Sequence, residues 1–367
     1  MDKIIKEERA MKLMKRSLVL FAAVICVTML IGAHAAFSQE MSNYELTEKI
    51  KALNDRLTIS GTVEVEVGFE NGYENESTSD IALATVELGL EAQVCDWAVA
   101  NIVFLWEEDD TEQVEVDEGT INLGNIDKYP FYLTVGKFVV PFGNYETNMI
   151  SDPLTLEIGE TPQSAVQLGL ESSNFYGSMY IFNGDIDEDG EEDKIKCFGA
   201  SAGYAFETEN FSLDIGAGWI NNIADSDGLG GWIEDSGFSL KDYVGGITGY
   251  AILNFAPFIV IAEYVTAMDD IEFTDNTKIE SPSAYNIELG YTFEMAGKET
   301  TLGIAYQGTE ECGGILPESR LAASIGVGLG EYVGVALEYA HDEDYSETDG
   351  GTGDEADIVT MQLVLEF

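Results

Sequence analysis

The sequence predicts an all-β protein: a transmembrane antiparallel β-barrel of about 16 strands, preceded by a signal peptide and a short amphipathic or coiled-coil helix. Three observations carry this. Segment after segment of roughly ten residues alternates apolar with polar positions, the period of a strand with one dry and one wet face. The connections between these segments are alternately short and long. The chain ends on such a segment, DIVTMQLVLEF, in which Val359, Met361, Leu363, Leu365 and Phe367 share one face.

The leader comes first. Lys12, Lys15 and Arg16 precede the apolar run SLVLFAAVICVTMLIGA, and AFS before Gln39 fits a small-x-small cleavage site. Residues 1–38 therefore read as a signal peptide with an extended basic start, weighed against a retained anchor. The full chain of 367 residues has a formal charge of −51. Without residues 1–38 it keeps 11 basic and 65 acidic residues and a charge of −54. A charge of that sign excludes nucleic acid as a partner. Hydrophobic residues make up 45% of the chain and aromatics 11%, too much apolar matter for a disordered acidic protein. Cys95, Cys197 and Cys312 form an odd set without metal-ligand spacing, so disulfides do not hold the fold together; Cys197 with Cys312 is the single pairing worth testing.

Residues 42–57 place Leu46, Ile50, Leu53 and Leu57 at spacings of four, three and four, a helical seam. The seam suits a periplasmic coiled coil that joins subunits, or one amphipathic helix lying against the barrel mouth. Residues 57–367 then form the barrel. LTISGTVEVEVGF, YNIELGYTFE and VGVALEY each put aliphatic and aromatic residues on one face and Gly, Ser, Thr and Glu on the other. A soluble sandwich also alternates, but strands this long with so little surface lysine suit a bilayer outside and water inside. The inward carboxylates are then Glu64, Glu66, Glu87, Glu91, Glu288 and Glu338. All 7 prolines fall at strand ends or between strands, as ladder hydrogen bonding requires. In a closed barrel the last strand pairs with the first, and the terminal aromatic Phe367 resembles the recognition signal of outer-membrane barrel proteins, which implies a part as an assembly signal.

The third long connection, 139–162, is the candidate constriction. Folded inward, it offers Asn144, Tyr145, Glu146, Asn148, Asp152, Glu157 and Glu160 to the lumen; packed outside, it leaves them merely solvated. The acidic loop DIDEDGEED supplies Asp185, Asp187, Asp189 and Asp193 in the pattern that begins a calcium loop, although Lys196 stands where an EF-hand has Glu. That loop is either an outer calcium site or a solvated acidic tip, and no other cofactor is required. His341, beside Asp342 and near Ser346, is a thin basis for catalysis.

The stretch GKFVVPFGNYETNMISDPLTLEIGET, from Gly136 to Thr161, resembles the LbtU-like siderophore porin family, and the leader, helical lead-in and Phe367 agree with it. Its first part, Gly136, Lys137, Phe138, Pro141, Phe142 and Gly143, is similar to a motif of phosphate-selective porins. The resemblance implies an outer-membrane barrel linked to ferric siderophore import without an internal plug domain. The expected partners are the lipid bilayer, lipopolysaccharide through divalent ions shared with the acidic outer loops, the barrel-assembly machinery through the terminal aromatic, and further copies of this chain in a homotrimer. Phosphate selectivity does not fit, because those pores are lined with arginine and lysine and this barrel, with 11 basic against 65 acidic residues, has almost none to spare. The expected activity is passive passage of small hydrophilic solutes, either with a siderophore among them or as a general cation-preferring porin. A structural barrel is the remaining alternative.

Overall fold

The computed structural model describes residues 56–73, 77–108, 111, 113–188, 190 and 194–367. The leader and residues 42–55 of the expected helix lie outside them. Leu57, counted as the last residue of the helical seam, instead opens the first strand.

The strands in chain order are β1 (Leu57–Asn71), β2 (Ser77–Cys95), β3 (Ala98–Trp106), β4 (Glu115–Gly124), β5 (Phe131–Val139) and β6 (Pro162–Ser172). There follow β7 (Phe175–Phe182), β8 (Cys197–Thr208), β9 (Phe211–Ile220), β10 (Gly246–Phe255) and β11 (Phe258–Ala267). A small hairpin, β12 (Ile271–Glu272) with β13 (Lys278–Ile279), lies in a loop. The barrel resumes with β14 (Ser283–Met295), β15 (Lys298–Glu310), β16 (Ser319–Gly328), β17 (Val333–Glu343) and β18 (Glu355–Glu366). Leaving out the small hairpin, these strands close into one antiparallel barrel in which β18 pairs with β1, so the barrel has no open edge.

One barrel end carries the short turns. The other carries eight longer connections, here L1 to L8, among them L3 (140–161), L4 (183–196), L5 (221–245), L6 (268–282), L7 (311–318) and L8 (344–354). Helix α1 (Leu154–Glu157) lies in L3 and α2 (Asp227–Ser236) in L5.

Cross-strand partners share a face, so the register fixes which side chains point outward. Val63, Val86, Phe104, Leu168, Met179, Ile215, Ile287, Ile304, Leu337 and Leu363 all point out. Many are widely exposed, Ile81 at 69% and Met179 at 64%. An apolar belt of this extent around a whole molecule belongs in lipid.

Aromatic residues border the belt at both ends. Phe131, Phe175, Phe211, Phe258, Phe293 and Phe367 sit near the short turns, and Trp106, Phe198, Trp219, Tyr264, Tyr285 and Tyr339 near the long loops. Along β14, Tyr285 and Phe293 bound the belt. Eight residues at about 3.4 Å each, tilted by about 40°, span about 20 Å of height, close to the apolar band of such barrels.

The inward face holds small residues against which tyrosines lie. A Cβ at Gly169, Gly203 or Gly216 would meet the ring of Tyr132, Tyr176 or Tyr250 at 1.9–2.4 Å. The main buried apolar core gathers at the long-loop mouth, where Phe142, Leu154, Ile158, Ile186, Ile223, Leu229, Ile233, Leu240, Phe273 and Tyr345 pack with strand residues such as Tyr180, Phe182 and Ile220. The pairing of Cys197 with Cys312 does not form. Cys197 lies against the Asp225 carboxylate (3.2 Å) and Cys312 against the Ser283 carbonyl (3.7 Å).

The C-terminus is built into the wall. Phe367 exchanges backbone hydrogen bonds of 3.0 Å in both directions with Gly61, and its ring lies where a Gly61 Cβ would be, 2.6 Å away. Substituting Gly61→Leu should therefore displace the terminal ring and cost about 1–3 kcal/mol, the usual cost of overpacking. The expected result is a smaller fraction of heat-modifiable, folded barrel on gels at equal expression.

Candidate functional site: a loop folded into the barrel

L3 leaves β5 through the GKFVVPFG stretch, and the structure gives each residue there a mechanical part. Gly136 has φ +142°, and a Cβ there would sit 1.9 Å from the Gly119 carbonyl oxygen, so only glycine fits. Phe138, Val140 and Phe142 are buried in the loop core. Phe142 donates its N–H back to the Val140 carbonyl (2.7 Å) around Pro141, a tight reversal that turns the chain inward. The Phe142 carbonyl approaches β9 so closely that a Cβ at Gly218 would lie 2.1 Å from it. Gly143 leaves room for the ring of Tyr145. Lys137 and Val139 point outward, the Lys137 ammonium donating to the Val116 carbonyl at 3.2 Å.

Once inside, L3 is held by three wall glutamates, Glu263 on β11, Glu288 on β14 and Glu338 on β17, only 5%, 1% and 3% exposed. Glu263 accepts from the N–H groups of Asn144 (2.9 Å) and Tyr145 (3.0 Å) and from the Thr155 hydroxyl (3.2 Å). Glu288 accepts from the Thr147 hydroxyl (2.7 Å), the Asn148 N–H (2.7 Å) and the Asn148 side-chain amide (3.0 Å). Glu338 accepts from the N–H groups of Ile150 and Ser151 and from the Ser151 hydroxyl (2.6 Å).

A buried carboxylate without such donors is very costly, and a loop crossing a lumen has backbone donors without strand partners. Each side satisfies the other. Gln307 on β15 accepts from the Leu154 N–H (3.0 Å), and the Ser324 hydroxyl on β16 donates to the Asn148 carbonyl (2.8 Å). Arg320 on β16 is paired with Asp342 by two bonds of 2.9 Å and also donates to the Asp152 carbonyl at 3.4 Å. L5 holds the far end, where the Asp227 N–H donates to the Glu160 carbonyl (2.9 Å).

The sequence-derived residues separate accordingly. Glu288 and Glu338 point inward but are closed beneath L3 and are not free pore charges. Tyr145 does not narrow an opening: its ring fills the space beside Gly143 and Gly159 and its hydroxyl is buried. Asn148 is committed to Glu288. Asn144, Glu146 and Asp152 are exposed, Glu157 and Glu160 partly so. Glu64, Glu66 and Glu87 lie on the inward face of β1 and β2, joined by Glu118 on β4. Glu91 lies near the short-turn mouth.

Asp117, Glu118, Glu263, Gln307 and Arg320 were not singled out by sequence reasoning, and Asp342, weighed there as a neighbour of His341, is instead the partner of Arg320. For Glu263 a signal existed, a lone carboxylate in the otherwise apolar FIVIAEYVTA. In the acidic loop, Asp185 accepts from the Gln163 amide (2.6 Å) and Asp187 from the Tyr243 hydroxyl (2.9 Å); Asp189 and Asp193 lie outside the described residues. His341 is on β17, facing outward, and not in a loop. Ser346 bonds to Asp349 (2.7 Å) rather than to His341.

L3 thus fills the β11–β17 side of the barrel, and its acidic edge faces the carboxylates of β1, β2 and β4. Burial, then the charges of Asp152, Asp227, Asp117 and Glu157, push the Glu160 carboxyl up to about 7. The charge of Asp117 reaches it from β4. On the short-turn side of L3 an open cavity of about 420 Å³ is lined by Asn148, Ser212, Asn254, Thr292 and Thr301 among others. Beside L5 to L8 another of about 920 Å³ includes Lys278, Glu310, Glu318 and Asp349.

Fold, apolar belt and inward loop together define a porin-like, multi-pass outer-membrane β-barrel. The chain is 27% identical to a UPF0422 protein of Coxiella burnetii (strain RSA 493 / Nine Mile phase I) over 84% of this chain and 70% of that one. It is 26% identical to a UPF0422 protein of Legionella pneumophila (strain Lens) over 85% of this chain and 66% of that one, so it spans about two thirds of these relatives' lengths. No family model matches it. Among solved structures it is similar to Pseudomonas putida OprB (TM-score 0.61, 11% identity, 87% of this chain, 96% of that one). It is also similar to an anion-selective porin from Comamonas acidovorans (0.60, 12%, 85%, 99%). These likenesses are likenesses of fold.

Removing one clamp leaves backbone donors unsatisfied. Glu288→Ala should destabilise the seat of L3 by about 1–3 kcal/mol and increase protease cleavage within 140–161 while the barrel remains folded. The pH dependence has a definite sign. Glu160 has its folded pKa above the ordinary 4.5, so its contribution to stability is full below about 4.5 and is lost as pH rises through about 7. Glu160→Gln should flatten the fall in thermal stability between about pH 5 and pH 8.

Proposed function

We propose that this chain is a porin-like channel that passes small hydrophilic solutes, cationic or neutral, across the outer membrane. The observation that supports this most is the charge around the remaining gap. Glu64, Glu66, Glu87, Asp117 and Glu118 line the wall, and Asp152, Glu157 and Glu160 line the edge of L3. The lumen cation nearest to them, Arg320, is already neutralised by Asp342. A narrow passage bounded by carboxylates concentrates cations and repels small anions. The Comamonas neighbour is described as anion-selective, so the shared fold and the selectivity are separate matters.

The sequence resemblance over Gly136–Thr161 supports a finer reading in which a ferric siderophore is one of the solutes. The lumen charge restricts that solute to a neutral or cationic complex. A homotrimer is the proposed working form; a Vibrio cholerae neighbour, OmpT, is described in a trimer form. Lipopolysaccharide and the barrel-assembly machinery are its proposed partners in the membrane.

Planar-bilayer recording in a potassium chloride gradient tests the reading. Stepwise conductance with a cation-selective reversal potential is expected, and its selectivity should rise as pH passes through about 7 and Glu160 ionises. Combining Glu66→Gln, Asp117→Asn, Asp152→Asn and Glu160→Gln should move the reversal potential toward zero. Anion selectivity, or silence from folded protein, would sink the proposal. Block by a neutral or cationic ferric siderophore would support the finer reading.

A further inference from the structure

We infer that the outward face of the β17–β18 hairpin, at its long-loop end, carries a site for a divalent transition-metal ion of the zinc class. Its ligands are His341, Glu343 and Glu355, and Asp357 positions the imidazole.

The register assembles the group. His341 is directly opposite Asp357, and Glu343 directly opposite Glu355. All four side chains leave the same, outer face, two residues beyond the girdle residue Tyr339 and so at the level of the lipid headgroups. Opposed glutamates repel, and like charges across a strand pair are unfavourable without a neutralising partner. Among the described residues, the ion pairs of Glu355 and Asp357 are with His341. Glu343 has a 3.4 Å contact from the Ser319 hydroxyl.

The imidazole geometry points to a metal. Nδ1 is 3.0 Å from Asp357 Oδ1, and the same oxygen accepts the Tyr339 hydroxyl at 2.6 Å. A carboxylate fixed by a tyrosine holds the ring in the tautomer that carries hydrogen on Nδ1 and directs the Nε2 lone pair away from Asp357. Carboxylate–histidine–metal arrangements use this device. Nε2 is then 4.0 Å from Glu355 Oε2, too far for a hydrogen bond. Two ligands each about 2.1 Å from a tetrahedral ion lie about 3.4 Å apart, so a small closure of this gap admits one. One ligand atom each from His341, Glu343 and Glu355 lies within 4.8 Å of the others. One nitrogen with two carboxylate oxygens suits zinc, cobalt or nickel better than calcium, which takes oxygen alone. With three protein ligands the fourth position stays open toward the headgroup layer.

The test uses the refolded mature barrel in detergent, with calcium in excess to occupy the many nonselective carboxylates. Cobalt(II) is the probe, because its visible absorption reports nitrogen and oxygen ligation. The expected result is uptake of one cobalt per chain, displaced by zinc. His341→Ala should abolish the absorption. Asp357→Asn should weaken binding about tenfold while keeping the stoichiometry, as loss of an orienting carboxylate does. Heat-modifiable mobility confirms that each variant is folded, and the paired change Glu343→Gln with Glu355→Gln offers a route that leaves the histidine in place. No stoichiometric uptake by folded protein, or unchanged absorption and affinity in His341→Ala, would overturn the site.

Discussion

The architecture depends on three buried carboxylates meeting a loop that has no strand to pair with. Glu263, Glu288 and Glu338 project from the wall into the barrel and receive nine hydrogen bonds from L3. Without the loop these glutamates would simply face water. Without the glutamates the N–H groups of Asn144, Tyr145, Asn148, Ile150 and Ser151 would lose acceptors within the folded loop. The apolar residues of L3 use the same placement: Phe142, Leu154 and Ile158 close against L4, L5 and L6 and make the mouth a packed layer rather than a fringe of loops.

This constraint divides the acidic residues named around L3 into those that seat the loop and those that face the gap. Carboxylates that face L3 are consumed as acceptors and contribute to shape. Carboxylates on β1, β2 and β4, and on the free edge of L3, stay partly exposed and set the field in the gap. Burial, reinforced by the neighbouring charges of Asp152, Asp227, Asp117 and Glu157, is why Glu160 holds its proton to about 7, far above an ordinary glutamate. The field in the gap therefore depends on pH through a residue that the loop itself carries.

The barrel was legible in the sequence because period-two alternation, alternating turn lengths and proline placement are local signals, and the closure of β18 on β1 follows from the absence of edges in lipid. The position of L3 was legible from its length and its place after the fifth strand. What each glutamate does was not. Glu66 and Glu288 look alike in sequence, each a carboxylate on the polar face of an alternating strand, and only the path of a loop more than a hundred residues away in the chain from Glu288 tells them apart. Tyr145 was misplaced for a related reason: its polar hydroxyl suggested the lumen, whereas its ring fills the space left by Gly143 and Gly159. The GKFVVPFG stretch is the hinge that turns L3 inward.

The most direct test of the inward loop is a covalent one. A Cβ at Gly303 on β15 would lie 3.2 Å from the Cβ of Asn148 on L3, close to the spacing of a disulfide. In a chain with Cys95, Cys197 and Cys312 replaced by alanine, Asn148→Cys and Gly303→Cys together should form a disulfide on mild oxidation of the folded barrel, seen as a shift in gel mobility that reductant reverses. Quantitative cross-linking in folded protein is the result this structure predicts. Free thiols that remain after oxidation of folded barrel would mean that L3 does not rest on β15, and the account built on the three glutamates would fall with it.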